Sequence, residues 1–255
     1  MKENPLVSVI IPAYNSEKYI AKAIDSALEQ NVPVEIIVVN DCSSDQTEEV
    51  VRKYLEIPNV HYYKNEQNMG AAASRNRGVA LAVGKYVAFL DADDWWAHGK
   101  LRKQLELIEK EKTVICSTAR ELMNPDGSSM GKCIPVHERI SYRMILRQNE
   151  INCSSVLLRR DVALEFPMEH EDCHEDYITW MKILKKYQYA CAVNEPLLKY
   201  RLSSQGKSGS KLKSAMMTFK TYRRAGFSWP KAAVCFISYA LNGIYKYCFP
   251  TSNML

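Results

Sequence analysis

Residues Tyr86–Trp96 read YVAFLDADDWW, and the reading of this stretch decides the fold. Five apolar or small residues, Tyr86 to Leu90, run without interruption into Asp91, Asp93 and Asp94. A continuous apolar run of that length is a strand covered on both faces, as in the middle of a mostly parallel sheet. The acids then fall at the strand's carboxyl end, where open α/β sheets receive their ligands. Asp91 and Asp93 repel each other unless a cation lies between them, and hard oxygen ligands of this kind suit Mg²⁺ or Mn²⁺. A plainer role also fits: an acidic loop before the next helix, with Asp94 as its N-cap. The rest of the chain decides between the two.

Upstream, Val7–Ile11 (VSVII) is a β-branched strand expected to stop at Pro12, and a helix follows over Glu17–Gln30. A second buried strand, Val34–Val39 (VEIIVV), runs into Asn40-Asp41-Cys42-Ser43-Ser44-Asp45, where Ser44 or Asp45 can cap a helix reaching Tyr54. Val60–Lys64 is a third strand. Asn68–Gly78 is a Gly- and Ala-rich loop entering a helix that Gly84 closes. This βαβαβα alternation predicts a doubly wound parallel sheet. Downstream, the pattern predicts a helix over 100–110, a strand over 113–118 and a hairpin tip at Asn124–Gly127. Further on it predicts a helix near Tyr142–Arg147, a strand at Ser154–Leu158 and a helix after Glu175. Two short strands, Ala190–Val193 and Leu197–Tyr200, come last.

At 255 residues, 47% hydrophobic and 25% charged, the chain has the bulk of one large α/β domain with room for a small appendage. The opening apolar run is too short for a signal-peptide core, so no export is expected. Eight scattered cysteines with no C-x-x-C pair point to reduced thiols rather than a zinc site or disulfide framework. Charge is unevenly spread. No acid follows Glu195, while ten basic residues do; the first 195 residues hold 24 basic against 29 acidic. An acidic body with a basic tail predicts a tail that meets anions such as phospholipid headgroups. No recognised motif supports nucleic acid as a partner.

Three predicted strand ends thus carry Tyr14 and Asn15, Asp41, and Asp91 with Asp93. An aromatic face, a carboxylate that can accept from a base N–H and a metal for a diphosphate outline a nucleotide site. At this point VSVIIPAYN, IIVVNDCSSD, NMGAAASRNRG and FLDADD, in this order and spacing, resemble the signature of family 2 glycosyltransferases of GT-A fold. The resemblance covers roughly residues 6–115 and continues more loosely to about 205.

The resemblance implies a GT-A, Rossmann-like, mostly parallel central sheet flanked by helices, with a C-terminal helical tail. It divides the chain into a catalytic domain over 1–210 (nucleotide-sugar half 1–118, acceptor half 119–210) and a tail over 211–255. It implies that Pro12, Ala13 and Tyr14 line a uracil pocket, Tyr14 stacking on the base, and that Asp41 accepts the uracil N3–H. Asn40 stands where many relatives have Asp. Asn68, Gly70, Arg75 and Asn76 match the loop beside the donor, with Arg75 a candidate for phosphate. Asp93 is the implied direct ligand of Mn²⁺ or Mg²⁺, and Asp91 contacts ribose or metal-bound water. Relatives take the general base from an E-D pair opening a late helix; Glu175-Asp176 matches, with Asp176 as base. Glu171-Asp172, four residues earlier, is the competitor. His170 and His174 read as solvated loop residues. Tyr200-Arg201 followed by Ser203-Ser204 and Lys207 resembles a loop that closes over the donor diphosphate, with Arg201 or Lys207 offsetting its charge. Ala97-His98-Gly99 replaces the usual proline-bearing turn.

Ala232–Tyr245 is free of charge and too short to span a bilayer. With Trp229, Lys231 and Lys246 around it, it reads as an amphipathic helix lying in a membrane surface, or as one packed on the catalytic domain or in a dimer. The expectation is therefore an inverting, metal-dependent transferase at the inner face of the cytoplasmic membrane. It would move sugar from a UDP-sugar to a glycan or polyprenyl-diphosphate-linked acceptor in bacterial O-antigen or capsule synthesis. Rival readings are a transferase for a protein acceptor, a nucleotide-sugar-binding subunit without catalysis, and a nucleotidyltransferase. The last lacks a triphosphate loop after the first strand.

Overall fold

The computed structural model describes residues 4–170, 172–202 and 211–248. Its centre is a ten-stranded sheet ordered β3-β2-β1-β4-β9-β6-β10-β5, with β7 (Ser129–Ile134) beside β6 and β8 (Arg139–Ser141) beside β10. The first half is parallel: β1 (Val7–Ala13) lies between β2 (Val34–Asn40) and β4 (Tyr86–Phe89), and β3 (Val60–Lys64) forms the edge. All of β2 and β4 is buried, which is why β4 is a continuous apolar run and β2 departs from one only at Glu35 and Asn40, both hydrogen-bonded inside the protein. Beyond β4 the sheet turns mixed. β9 (Leu157–Arg159) runs antiparallel between β4 and β6 (Ile115–Met123), and β10 (Tyr189–Arg201) is parallel to β6. This is the expected GT-A, α/β architecture, its parallel part concentrated in the first half.

Helices cover both faces. Val9 and Ile11 point to the side of α1 (Ile20–Leu28) and α4 (Lys100–Glu111), while Ile10 points to α3 (Ala71–Leu81) and α7 (Glu175–Tyr187). The period-2 alternation of β1 thus serves two cores at once. α3 lies so close to β1 that a Cβ on Gly78 would come within 2.4 Å of Ile10. Two helices follow the sheet. α8 (Lys211–Arg224) is anchored on α7 by buried Tyr222, whose ring lies 5.9 Å from that of Tyr177, and α9 (Trp229–Cys248) packs back on α8. Among the described residues no helix is long and apolar enough to cross a membrane.

Several local expectations are corrected. β1 does not stop at Pro12; it pairs with β2 through Ala13, and the β4 ladder on its other side has already ended at Ile10. Residues 16–19 form a turn closed on the Ser16 carbonyl, so α1 begins at Ile20. Gly84 is no helix cap: α3 ends at Leu81, and a Cβ on Gly84 would meet the Ser8 backbone nitrogen at 2.8 Å. Ser154–Leu158 opens as a 3-10 turn over Cys153–Ser155, because the Asn152 side chain accepts from the Ser154 N–H, and only then becomes β9. α6 (Arg160–Glu165) and β5 (Trp95–Trp96) were not foreseen. The two short strands after Ala190 are one, β10, with a register shift between Val193 and Leu198.

Candidate active site

The carboxyl ends of β1 and β2 are laced together. Asn15, in the left-handed region at φ 48°, accepts at Oδ1 from the Ser44 N–H (2.9 Å) and donates its own N–H to Ser43 Oγ (3.0 Å). Ala13 is buried, Pro12 half-buried, and the Tyr14 ring is left 51% exposed at the rim. Asp41 is buried and well partnered: Oδ1 accepts from Asn65 Nδ2 (2.7 Å) and the Met69 N–H (2.9 Å), and Oδ2 from the Gly70 N–H (2.7 Å). Gly70, at φ 90°, is the turn that brings this N–H round before α3. Asn40 donates to Tyr62 Oη (2.8 Å) and accepts from the Ser43 N–H (2.9 Å), a two-way role that an acceptor-only Asp could not fill in the same way. Asn68 is exposed on the same loop.

The acidic loop after β4 is fastened at both ends. The Asp91 N–H donates to Ser154 Oγ (3.1 Å), and Trp96 Nε1 donates to the Ser154 carbonyl (2.7 Å). Asp94 caps no helix, since α4 begins only at Lys100; instead its buried Oδ1 accepts from the Arg201 N–H (2.9 Å). Arg201 is not part of a solvated loop. It is 7% exposed, donates through Nε to the Asp93 carbonyl (2.9 Å) and through Nη1 to the Pro125 carbonyl (2.6 Å), and lies over Tyr19 and Trp95. Its guanidinium holds the acidic loop against the β6–β7 hairpin tip. Lys207 lies outside the described residues.

Arg75 is likewise held inside the protein. It is 5% exposed, because Ala72, Arg75 and Val79 form the stripe of α3 that faces the core. Rather than standing open to a phosphate, its guanidinium bridges two carboxylates: Nη2 to Asp91 Oδ1 (2.6 Å) and Nη1 to Glu175 Oε1 (3.0 Å). Asn76, one residue on, pins the Met168 backbone from both sides (2.7 and 2.9 Å). Arg75 thus ties the loop after β4 to the first turn of α7, a hundred residues away. Asp93 and Asp176 are both raised above the ordinary carboxylate range. Burial and then the charge of Asp91 push Asp93 up to about 6, and burial and then Glu175 push Asp176 up to about 6. Asp172, of the competing pair, is exposed and held down to about 2 by hydrogen bonds from Lys220 and Arg224; Glu171 lies outside the described residues.

The donor set fits a hard divalent cation that keeps open positions. Among the described residues no cluster of three or more His, Cys, Asp or Glu forms a closed cage, and Mg²⁺ or Mn²⁺ at phosphate sites takes one or two carboxylates plus phosphate oxygens. Asp91 and Asp93, two carboxylates on one short loop, supply that number. Sequence reading missed Asn65 and Ser154, which orient Asp41 and Asp91. Asn65 sits at the end of β3, and the rule that ligands gather at carboxyl ends would have found it.

The model described as "Glycosyl transferase family 2" matches residues 8–164. The chain is similar to the "Putative teichuronic acid biosynthesis glycosyltransferase TuaG" of Bacillus subtilis, at 38% identity over 95% of this chain and 97% of that protein. It is also similar to the "UDP-Glc:alpha-D-GlcNAc-diphosphoundecaprenol beta-1,3-glucosyltransferase WfaP" of Escherichia coli, at 33% identity over 96% of each. Among solved structures, S. aureus TarS 1-349 with UDP-GlcNAc superimposes with a TM-score of 0.72 at 21% identity, covering 94% of this chain and 73% of that one. The mannosyltransferase PcManGT of Pyrobaculum calidifontis, with GDP-Man and Mn²⁺, gives 0.69 at 18% identity, covering 98% and 77%.

Proposed function

The chain belongs to glycosyl transferase family 2, and on that premise we propose that it transfers a sugar from a UDP-sugar to a hydroxyl of a lipid-diphosphate-linked glycan, with inversion at the anomeric carbon. Its class, a glycosyltransferase, is established by the family. The donor, acceptor and residue roles are our reading. The observation that carries it is Arg75, which gathers Asp91 of the acidic loop and Glu175 of the α7 acid pair into one site at the carboxyl edge of the parallel strands.

Tyr14 offers the uracil a face to stack on, bounded by Pro12 and Ala13. Asp41 accepts three hydrogen bonds from the protein; a carboxylate takes about four, so capacity remains for the base N3–H. Asn68 and Gly70 form the loop beside the donor. Asp93, with Asp91, would hold Mn²⁺ or Mg²⁺ against the diphosphate, and the ion, when bound, supplies Lewis-acid stabilisation of the departing nucleoside diphosphate. Arg201 keeps the acidic loop in place by its bond to the Asp93 carbonyl. Asp176 takes the proton of the acceptor hydroxyl, whose oxygen then bonds to the anomeric carbon as the bond to the diphosphate breaks. Glu175, held by Arg75, fixes the first turn of α7 so that Asp176 stays aimed at the acceptor. Residues 1–118 form the nucleotide-sugar half, 119–210 the acceptor half, and 211–255 a tail.

Two relatives carry an acceptor in their names, a GlcNAc-diphosphoundecaprenol, and TuaG is named for teichuronic acid biosynthesis. Transfer within a bacterial surface polysaccharide, at the inner face of the cytoplasmic membrane, follows for this chain by likeness. The test is release of free nucleotide from UDP-, GDP- and dTDP-sugars, with Mn²⁺ or EDTA, with and without a lipid-diphosphate sugar. Turnover of a UDP-sugar that needs acceptor and stops with EDTA is expected. Nucleotide binding without turnover on any acceptor would favour a binding subunit instead.

A further inference from the structure

α8 and α9 pack as a helical hairpin. Phe219 of α8 meets Trp229 (5.6 Å between rings) and Phe236 (5.8 Å), and Ala232 is fully buried between them. That inner face leaves the opposite face of α9 without a partner. Val234, Ile237 and Leu241 stand there 67%, 57% and 61% exposed. Their spacing of three and four residues puts them in one stripe. The face around them carries no charge, since none occurs from Ala232 to Leu241. A helix face turned to water ordinarily carries charged residues, so this one is built to be covered.

Charge says by what. Lys231 flanks the stripe at the start of α9, and Arg223 reaches over from α8 to lie 4.8 Å from the Trp229 ring. Neither is paired with a carboxylate among the described residues. Beside them is an open groove of about 440 Å³ lined by Phe219, Lys220, Arg223, Arg224 and Trp229. Of the cations lining it, Lys220 and Arg224 are paired with Asp172, and Arg223 is left without a carboxylate among the described residues. An apolar stripe with Lys231 one turn before its first residue, on a hairpin whose loop end carries Arg223 and the exposed Trp229, matches the boundary between lipid headgroups and acyl chains. A two-fold contact with a second copy would instead bring the basic edge against itself.

We propose that the outward face of α9 docks on an anionic bilayer, with Val234, Ile237 and Leu241 entering the headgroup boundary and Lys231, one turn before Val234, and Arg223 of the neighbouring α8 meeting lipid phosphates. The proposal rests on the reading of a lipid-linked acceptor, which it extends by naming the surface that brings the enzyme to it. Lys220 and Arg224 also hold Asp172 (2.5 and 2.9 Å), so the docked hairpin is tied to the segment that leads into α7 and Asp176.

The test uses the full chain and vesicles free of acceptor, made of phosphatidylcholine with or without phosphatidylglycerol. The protein should sediment with the anionic vesicles and lose most of that binding in high salt. Val234→Glu/Ile237→Glu should weaken it by about ten-fold or more. Arg223→Glu/Lys231→Glu should remove the preference for phosphatidylglycerol. Both variants should transfer sugar to a detergent-free, short-chain lipid-diphosphate acceptor as the parent does, which shows that they fold. Sedimentation unchanged by Val234→Glu/Ile237→Glu would overturn the proposal. So would a parent that ignores anionic vesicles, or one that forms a dimer which this substitution dissociates. Failure to act on the short-chain acceptor would strike the acceptor reading and leave the vesicle result standing.

Discussion

Two acid pairs meet at Arg75, and their similarity is closer than their separation in sequence suggests. In one, Asp91 is ion-paired and Asp93 is pushed up to about 6; in the other, Glu175 is ion-paired and Asp176 is pushed up to about 6. Their settings differ. Asp91 and Asp93 lie on a loop fastened through backbone groups by Ser154 and Arg201, a frame that fixes the positions of their oxygens. Glu175 and Asp176 open a helix, where the Tyr177 N–H donates to Asp176 (2.8 Å) and the helix end favours negative charge. On the roles proposed above, the same chemistry is set for two tasks: one pair would hold charge in place, the other would take up and release a proton.

The sharpest way to break this comparison is to neutralise one member at a time. Asp176→Asn should lower transfer by about a thousand-fold, the loss expected of a general base, without unfolding the protein. Asp93→Asn should cost about a hundred-fold or more and, unlike the first, blunt the response to added Mn²⁺. Both are read from nucleotide release with acceptor present.

Removing what the pairs share should strike them together. Arg75→Met leaves two carboxylates unpaired, one of them buried, and is expected to cost about 3–5 kcal/mol of stability as well as activity. A thermal melt measures the first part. Arg75→Lys keeps the charge but not the fork, so it should recover stability better than turnover.

The pH profile sharpens the assignment of roles. A base works only when unprotonated, so kcat/KM should fall about ten-fold per unit below about pH 6 and flatten above it. Asp172→Gln should matter least, under about three-fold in turnover, since an exposed carboxylate already paired with Lys220 and Arg224 has little to lose. A large loss there would shift the base to the earlier acid pair.

How much of this was legible in the sequence follows from how each part is encoded. β1, β2 and β4 are buried on both faces and announce themselves as apolar runs, so the parallel half and the polar groups at its ends could be read directly. Arg75 and Arg201 could not be read as easily, because charge suggests exposure and their partners are distant in sequence. One clue was available: Arg75 shares the spacing of Ala72 and Val79, the buried stripe of α3. The second half was harder. β10 continues through a register shift at Val193–Leu198 that reads as a gap between strands. Ser154 sits in a 3-10 turn that its apolar neighbours disguise as strand.

The central claim, that one acid pair holds the donor's cation and the other activates the acceptor, is tested most directly by UDP-sugar binding. Calorimetric titration with and without Mn²⁺ would compare the parent with Asp93→Asn and Asp176→Asn. Asp93→Asn should lose the Mn²⁺-dependent part of binding, while Asp176→Asn should bind like the parent and turn nothing over. If Asp176→Asn lost Mn²⁺-dependent binding as well, or Asp93→Asn kept it, the division of labour between the two pairs would be wrong.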